Sequence, residues 1–271
     1  MDTDHRAGGV KYECLLFDMD DTLYPLSLGL NLFCRQNIQE YMLEHLHIEE
    51  SEVPKMCLDL YREYGTTMAG LKLLGYEFDN DEFHAYVHGR LPYEKLKPDP
   101  VLRNLLLSMP QRKIIFTNAD HAHAVQVLNR LGLEDCFEGI ICFETLNPLK
   151  QINVPDNDHV PTDSTDSGSF NSHSQILCKP SVEAFEAAIR IANVDPNKTI
   201  FFDDSVRNVE SAKLAGLHTV LVGHSDLVPG ADHALNSIHN IKEALPEIWE
   251  IEEANQQQKM QPPAVETMVQ A

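Results

Sequence analysis

The chain has 271 residues, of which 42 are Asp or Glu and 21 are Lys or Arg, so its formal net charge is −21. Such an acidic chain argues against a nucleic-acid partner, and no apolar run approaches the roughly 18 residues that a membrane span needs. A hydrophobic fraction of 43% and a charged fraction of 23% are typical of a soluble globular protein.

The polar start of the chain, residues 1–6, lacks the apolar core of a signal peptide. The six cysteines are scattered and include no C-x-x-C pair. We therefore predict reduced thiols and a cytoplasmic location. Cys178 lies beside Lys179, which would favour a lowered thiol pKa, but a packing role is the simpler interpretation.

The first clear element is the short apolar run 12–17, which is typical of a buried strand and ends directly before Asp18 and Asp20. Open α/β sheets bind ligands at the carboxyl ends of their strands. Side chains two residues apart on a strand share a face, and two such close anions require either a cation such as Mg²⁺ or one protonated acid. A solvated turn is the alternative, because Asp favours turns.

A long helical segment follows the first strand. From Leu26 to Lys97 the pattern is almost wholly helical, and it is too long for a single crossover helix. It therefore predicts an inserted helical domain at 25–97. Pro25 and the proline-containing segment 97–100 are natural hinges, because proline restricts its own backbone and that of the residue before it.

Strands and helices alternate in the rest of the chain. Strand-like runs fall at about 112–117, 139–143, 199–202 and 218–222. Helical patterns fall at 99–109, 121–131, 181–192 and 205–215. Because alternating strands and helices favour a parallel sheet, we predict an α/β fold with a doubly wound parallel sheet, formed by 1–24 and 98–251.

Two polar segments stand apart from this alternation. Residues 149–176 are rich in Ser, Asp, Asn and Thr and contain almost no large hydrophobic residue, so they cannot bury enough area to order themselves. We predict a flexible insertion there, with a structured substrate lid as the alternative. The tail 252–271 is also predicted to be disordered.

Polar groups recur at the ends of the later strands. Thr117 and Asn118 follow the second strand, the pair Asp203–Asp204 follows a later one, and Lys179 precedes a helical pattern. Acid pairs, a hydroxyl and a lysine form a set suited to phosphoryl transfer. Together with the segment 18–22, these residues resemble the four motifs of the haloacid dehalogenase (HAD) superfamily, all in the expected order.

The resemblance implies a Rossmann-like core with an all-helical cap at 25–97, and Mg²⁺ as the cofactor. The metal ligands would be the carboxylates of Asp18 and Asp203 and the backbone carbonyl of Asp20. Asp204 would orient metal-bound water from outside the ligand shell.

The resemblance also implies a phosphatase mechanism. Asp18 would attack phosphorus, and Asp20 would act as general acid and then as base. For that role Asp20 must first be protonated, which the neighbouring acids would favour. Thr117 and Asn118 would bind the transferring phosphoryl oxygens, and Lys179 would offset their charge.

Within the superfamily, the chain is most similar to the pyrimidine 5′-nucleotidase-like branch, and especially to its plant-type members. The matching stretches are 17–25, 64–71, 87–93, 117–120 and 201–208. The implied activity is Mg²⁺-dependent hydrolysis of nucleoside 5′-monophosphates through an aspartyl-phosphate, with a small phosphomonoester as the only implied partner. Purine monophosphates such as XMP or GMP and sugar or cofactor phosphates are alternatives, as is a non-catalytic regulatory protein. Nothing in the sequence predicts the oligomeric state.

For recognition of the nucleoside we select hydroxyl, imidazole and guanidinium groups in and beside the cap. They are Tyr24, Thr66, Thr67, His88 and Arg90. Each has a structural alternative: hinge packing for the tyrosine, a helix N-cap for the threonines, and bonds to helix C-terminal carbonyls for the last two. His121 and His123 lie near the predicted site, but a third residue with zinc-ligand spacing is absent from the sequence.

Overall fold

The computed structural model describes residues 11–148 and 176–250. The predictions of a flexible insertion at 149–176, except for its last residue, and of a disordered tail at 252–271 fall outside the described residues. Within the described part, every helix is too short or too polar to cross a membrane. All six cysteines lie in this part and are free thiols.

The core is a parallel sheet of six strands in the order β3-β2-β1-β4-β5-β6. The strands are β1 (Cys14–Phe17), β2 (Arg112–Phe116), β3 (Gly139–Ile141), β4 (Thr199–Asp203), β5 (His218–Val222) and β6 (His233–Leu235). Strand β1 is central and buried along its whole length. It pairs with β2 on one side and β4 on the other, so the chain reverses its direction of winding beside β1, the point at which such sheets form a ligand crevice.

Helices cover both faces of this sheet. The helices of the described residues are α1 (Leu30–Glu44), α2 (Val53–Tyr64), α3 (Thr67–Leu73), α4 (Asn80–His88), α5 (Pro100–Leu107), α6 (His121–Leu131), α7 (Phe143–Leu146), α8 (Val182–Ala192), α9 (Val206–Leu214) and α10 (Ile241–Ala244). Leu15 and Phe17 of β1 pack with α5 and α6, whereas Cys14 and Leu16 pack with α8. The doubly wound α/β sheet predicted from the sequence is therefore confirmed.

The helices α1 to α4 have a hydrophobic cluster of their own, separate from the two clusters that flank the sheet. Tyr41 lies at its centre, with edge contacts to the rings of Phe78, Phe83 and Tyr86 at 5.0–5.8 Å. Phe143 of α7 also belongs to this cluster. One aromatic side chain from the sheet domain thus completes the core of the helical insertion.

The structure differs from the sequence prediction in its shortest elements. The strand predicted at 139–143 ends at Ile141, and Cys142 instead caps α7. Strand β6 was missed, since its three residues, His233–Leu235, form too short a pattern to recognise. These errors leave the sheet edge that carries Asp18 and Asp203 unchanged.

Candidate active site

The carboxyl ends of three adjacent strands bring the core motifs together. Asp18 follows β1, Thr117 follows β2, and Asp203 is the last residue of β4. All three side chains are buried. The hydroxyl of Thr22 donates to Asp18 Oδ2 at 3.1 Å, which leaves Oδ1 for the lysine described next.

Lys179 joins two of these strand ends. Its ammonium group donates to Asp18 Oδ1 at 2.6 Å, to Asp203 Oδ2 at 2.8 Å and to the carbonyl oxygen of Phe116 at 2.9 Å. The residue is only 1% exposed. Three acceptors satisfy the three N–H groups of a lysine, so this charge has one defined position between the two acids.

The backbone of Lys179 is held from both sides of the cleft. The Asn118 side chain donates to the Lys179 carbonyl at 2.9 Å and accepts from its N–H at 2.8 Å. From the insertion, Gly65 approaches with φ of +88°, and a Cβ there would overlap the Lys179 carbonyl oxygen and lie 2.7 Å from Pro180 Cδ. Asn118 thus positions Lys179 through its side chain, and Gly65 permits the close contact.

Gly65→Ala should lower the free energy of unfolding by about 2–5 kcal/mol, because a left-handed backbone and an overpacked contact each carry a cost. Gly75→Ala is the matched control, since Gly75 has φ of +89° and a methyl group added there would meet nothing within 4 Å. It should lose only about 1–2 kcal/mol, the backbone part alone. Urea unfolding of both variants measures the difference, and equal losses would contradict the contact with Lys179.

Three carboxylates form a cluster suited to a cation. Asp18, Asp203 and Asp204 each offer an oxygen within 4.8 Å of the others. Burial raises the pKa of Asp18, although Lys179 opposes the shift. Burial and the two neighbouring acids also raise the pKa of Asp204. Because one lysine does not neutralise three acids, the donor set fits a hard cation such as Mg²⁺.

The two acids after β4 differ in their contacts. Asp203 accepts from Lys179, from the Ser205 N–H at 2.8 Å, and from Asn208 Nδ2 at 3.0 Å to both oxygens. Asp204, in contrast, has no donor on its carboxylate among the described residues. The expected division, with Asp203 as ligand and Asp204 outside the ligand shell, stays a prediction, since both acids belong to the cluster. Asp204 has the freer oxygens, and Asp203 is occupied in holding Lys179.

Mg²⁺ should raise the temperature of thermal unfolding, because it would relieve repulsion within this acidic cluster. At 100 times its Kd, a bound cation adds about 2.7 kcal/mol of stability, which corresponds to roughly 5–10 °C for a chain of this size. Asp204→Asn should remove most of the shift. Asp226→Asn, the same substitution on an exposed loop, should retain it, and equal shifts in the two variants would argue against a ligand role for Asp204.

Asp20 has a different environment from Asp18. Tyr24 donates its hydroxyl to Asp20 Oδ1 at 2.6 Å, and His123 Nε2 lies 2.8 Å from the same oxygen. Burial would raise the pKa of Asp20, but the charge of His123 and the two hydrogen bonds outweigh it and lower that pKa to about 2. The expectation that neighbouring acids keep Asp20 protonated is therefore wrong for the site without substrate.

A cavity of about 380 Å³ lies between the sheet edge and the helical insertion. Asp18, Asp20, Thr117 and Lys179 line its inner end. Its outer wall is mainly apolar side chains of α1, α2 and α4, interrupted by polar groups. Arg35 and Tyr61 of this wall were not selected from the sequence, because their helical patterns carry no motif.

Of the five residues selected for nucleoside recognition, four line the cavity and one does not. Tyr24, Thr66, Thr67 and His88 line the cavity. Thr66 also caps α3 by accepting from the Ala69 N–H at 3.1 Å, and Thr67 donates to the Cys57 carbonyl at 2.9 Å. The N-cap alternative is correct for Thr66.

His88 and Arg90 have partners of their own. His88 Nδ1 lies 2.5 Å from Asp120 Oδ1, which links α4 to the start of α6. Arg90 does not line the cavity: it pairs with Glu40 at 2.8 Å and lies over the Tyr86 ring. Arg90 is therefore corrected from a substrate contact to a surface ion pair. The reason is side-chain direction: His88 and Leu91, on either side of it in the chain, line the cavity, whereas the guanidinium group of Arg90 reaches Glu40 on α1.

The contacts of Cys178 agree with a packing role. Its Sγ donates to the carbonyl of Tyr64 at 3.4 Å, and burial raises the pKa of the thiol. A lowered pKa of Cys178 is not found, because burial outweighs the smaller lowering effects of Thr66 and Lys179.

The acids at the strand ends, the buried lysine and the cavity under the helical insertion define a class of protein. Comparison with known families agrees with that class. The family of haloacid dehalogenase-like hydrolases matches residues 12–216. The chain belongs to this family, and the resemblance seen in the four motifs is confirmed at that level.

Individual relatives are more distant. The chain is 26% identical over 214 residues to Phosphate metabolism protein 8 of Saccharomyces cerevisiae, covering 76% of this chain and 60% of the yeast protein. Its fold is similar to an HAD phosphatase from Thermococcus onnurineus (TM-score 0.52, 18% identity, 85% of this chain and 96% of that one). It is also similar to CbbY from Rhodobacter sphaeroides in complex with phosphate (TM-score 0.52, 17% identity, 85% and 96%).

Proposed function

We propose that the protein is a Mg²⁺-dependent phosphomonoesterase that hydrolyses nucleoside 5′-monophosphates through an aspartyl-phosphate on Asp18. One observation carries the proposal: a buried carboxylate, bonded at 2.6 Å to a buried lysine, lies at the inner end of a cavity beside a second carboxylate, Asp20. An anionic nucleophile can meet a phosphate dianion only where positive charge has been arranged beforehand.

The residues that would hold Mg²⁺ are Asp18 and Asp204, with Asp203 beside them and the backbone carbonyl of Asp20 as a further oxygen ligand. When bound, the cation would neutralise charge on the phosphoryl oxygens and the nucleophile. Lys179 supplies the fixed part of that neutralisation. Thr117 and the backbone N–H of Asn118 lie at the same strand edge and would bind the oxygens of the transferring group.

In the first step an Asp18 oxygen forms a bond to phosphorus as the bond from phosphorus to the leaving oxygen breaks. Asp20 gives its proton to that oxygen. The phosphate dianion favours the protonated form of Asp20 at this stage, because a second negative charge nearby disfavours the carboxylate. In the second step Asp20 takes a proton from water, whose oxygen attacks phosphorus and displaces Asp18.

The nucleotide part of the proposal has separate support. The sequence is similar to the pyrimidine 5′-nucleotidase-like branch, and the cavity of about 380 Å³ has an apolar wall with polar groups such as Tyr61, Thr66 and Arg35. Small-molecule sites combine these features. Two of the similar proteins, the yeast Phosphate metabolism protein 8 and CbbY in complex with phosphate, agree with a phosphorylated substrate. A cytoplasmic location is part of the proposal, supported by the free thiols.

The test is phosphate release from a panel of nucleoside monophosphates, sugar phosphates and pyridoxal phosphate, with and without Mg²⁺. We expect a Mg²⁺-dependent preference for one nucleotide that Asp18→Asn abolishes. Equal, slow release across the panel would remove the nucleotide assignment and keep the chemistry. No release from any ester would remove both.

A further inference from the structure

The two oxygens of the Asp20 carboxylate have unequal surroundings. Oδ1 accepts from the Tyr24 hydroxyl at 2.6 Å and faces His123 Nε2 at 2.8 Å. Within residues 11–148 and 176–250, no hydrogen-bond donor contacts Oδ2. The carboxylate lines the cavity, so its one free oxygen is the one that remains for a ligand.

His123 is itself held in a single orientation. It is 3% exposed, and its Nδ1 lies 2.6 Å from the Tyr93 hydroxyl. Its ring stacks on His88, with centroids 4.4 Å apart and planes inclined by 27°. A carboxylate oxygen only accepts, so Nε2 must carry its hydrogen toward Asp20, and Tyr93 engages the other ring nitrogen.

The groups that hold Asp20 come from distant parts of the chain. His123 lies in the first turn of α6, Tyr24 precedes the helical insertion, Tyr93 lies in the segment by which the insertion returns to the sheet domain, and His88 ends α4. Both connections of the insertion therefore reach Asp20, one directly and one through His123. The orientation of this carboxylate depends on the insertion being seated on the sheet domain.

From this arrangement we infer that His123, held by Tyr93 and assisted by Tyr24, is a positioning residue that turns Oδ2 of Asp20 toward the oxygen of the leaving group. The inference rests on the phosphatase function proposed above. In the step concerned, the O–H bond at Oδ2 breaks and the proton goes to the leaving oxygen as its bond to phosphorus breaks. His123 exchanges no proton with substrate and acts only through Asp20.

A positioning role predicts a dependence on the leaving group. Phenyl phosphate and p-nitrophenyl phosphate are nearly equal in shape, but phenolate is the more basic leaving group and needs a proton more. In His123→Leu, kcat/KM for phenyl phosphate should fall by about tenfold or more, whereas that for p-nitrophenyl phosphate should fall less than about threefold. His123→Gln places an amide donor near the position of Nε2 and should restore most of the loss.

Because His123 is buried, Tyr93→Phe provides a second and milder variant, with the same selectivity for the basic leaving group at smaller amplitude. Tyr86→Phe removes a hydroxyl that contacts Glu44 on the surface of the insertion and should leave both esters unchanged. Equal losses for the two esters in both His123→Leu and Tyr93→Phe, or no loss in either, would overturn the positioning role. A wild-type enzyme inactive on both aryl esters and on every ester of the panel described above would instead overturn the proposed phosphatase function.

Discussion

Asp18→Asn is expected to lower kcat by at least about 10⁴-fold on any phosphomonoester, since loss of a nucleophile in an enzyme that forms a covalent intermediate costs about this much or more. An amide cannot form the aspartyl-phosphate. The substitution keeps the size of the side chain, and Lys179 retains Asp203 and the Phe116 carbonyl as partners at 2.8 and 2.9 Å. The fold should therefore persist, and the loss should be one of chemistry.

A second variant, Asp20→Asn, tests the same covalent mechanism by the appearance of a product rather than by a loss of activity. This variant keeps the proposed nucleophile but lacks the group proposed to take a proton from water, so the aspartyl-phosphate should accumulate. With p-nitrophenyl phosphate as substrate, mass spectrometry of acid-quenched protein should find one phosphoryl group on the peptide that contains Asp18. A phosphorylated peptide elsewhere, or residual turnover above about 1% in Asp18→Asn, would contradict the covalent mechanism, because such turnover exceeds what the loss of a nucleophile permits.

The sequence was most informative where function depends on strand ends. The apolar run before Asp18 and the one before Asp203 each stop at an acid, and neighbouring parallel strands end at the same edge, so a shared site followed directly. The helix 121–131 was also predicted with its observed bounds, because an Asp cap and a terminal glycine mark both ends.

The partners of Asp20 were harder to predict from the sequence. His123 was noted as close to the site, but its contact spans 103 positions of sequence, and nothing in the local pattern says which way a helical side chain will face. The same limit explains Arg90, whose residue type suits a substrate but whose side chain reaches Glu40 instead. Residue type and element were predictable, whereas side-chain direction was set by how the insertion packs on the sheet.

The buried Lys179 was selected from the sequence by its residue type, but the direction of its side chain was set by packing. Its removal should be the most destabilising change in the site. Lys179→Met keeps the volume of the side chain but leaves Asp18 and Asp203 facing each other without their shared cation. Breaking a buried ion pair from one side costs about 3–5 kcal/mol, a large part of the roughly 5–15 kcal/mol that keeps a domain folded. Urea unfolding in the presence of EDTA measures this loss.

Lys213→Met is the matched control, because Lys213 pairs with Asp232 at 2.7 Å but is 44% exposed, and an exposed pair contributes only about 0–1 kcal/mol. Lys179→Met combined with Asp203→Asn should be less damaging than the sum of the two single changes, since the second removes the charge that the first leaves without a partner. Added Mg²⁺ should restore part of the stability of Lys179→Met through the same cluster. If Lys179→Met and Lys213→Met lost equal stability, the ammonium group could not be holding the two strand ends together, and the reactive carboxylate would need another source of its orientation.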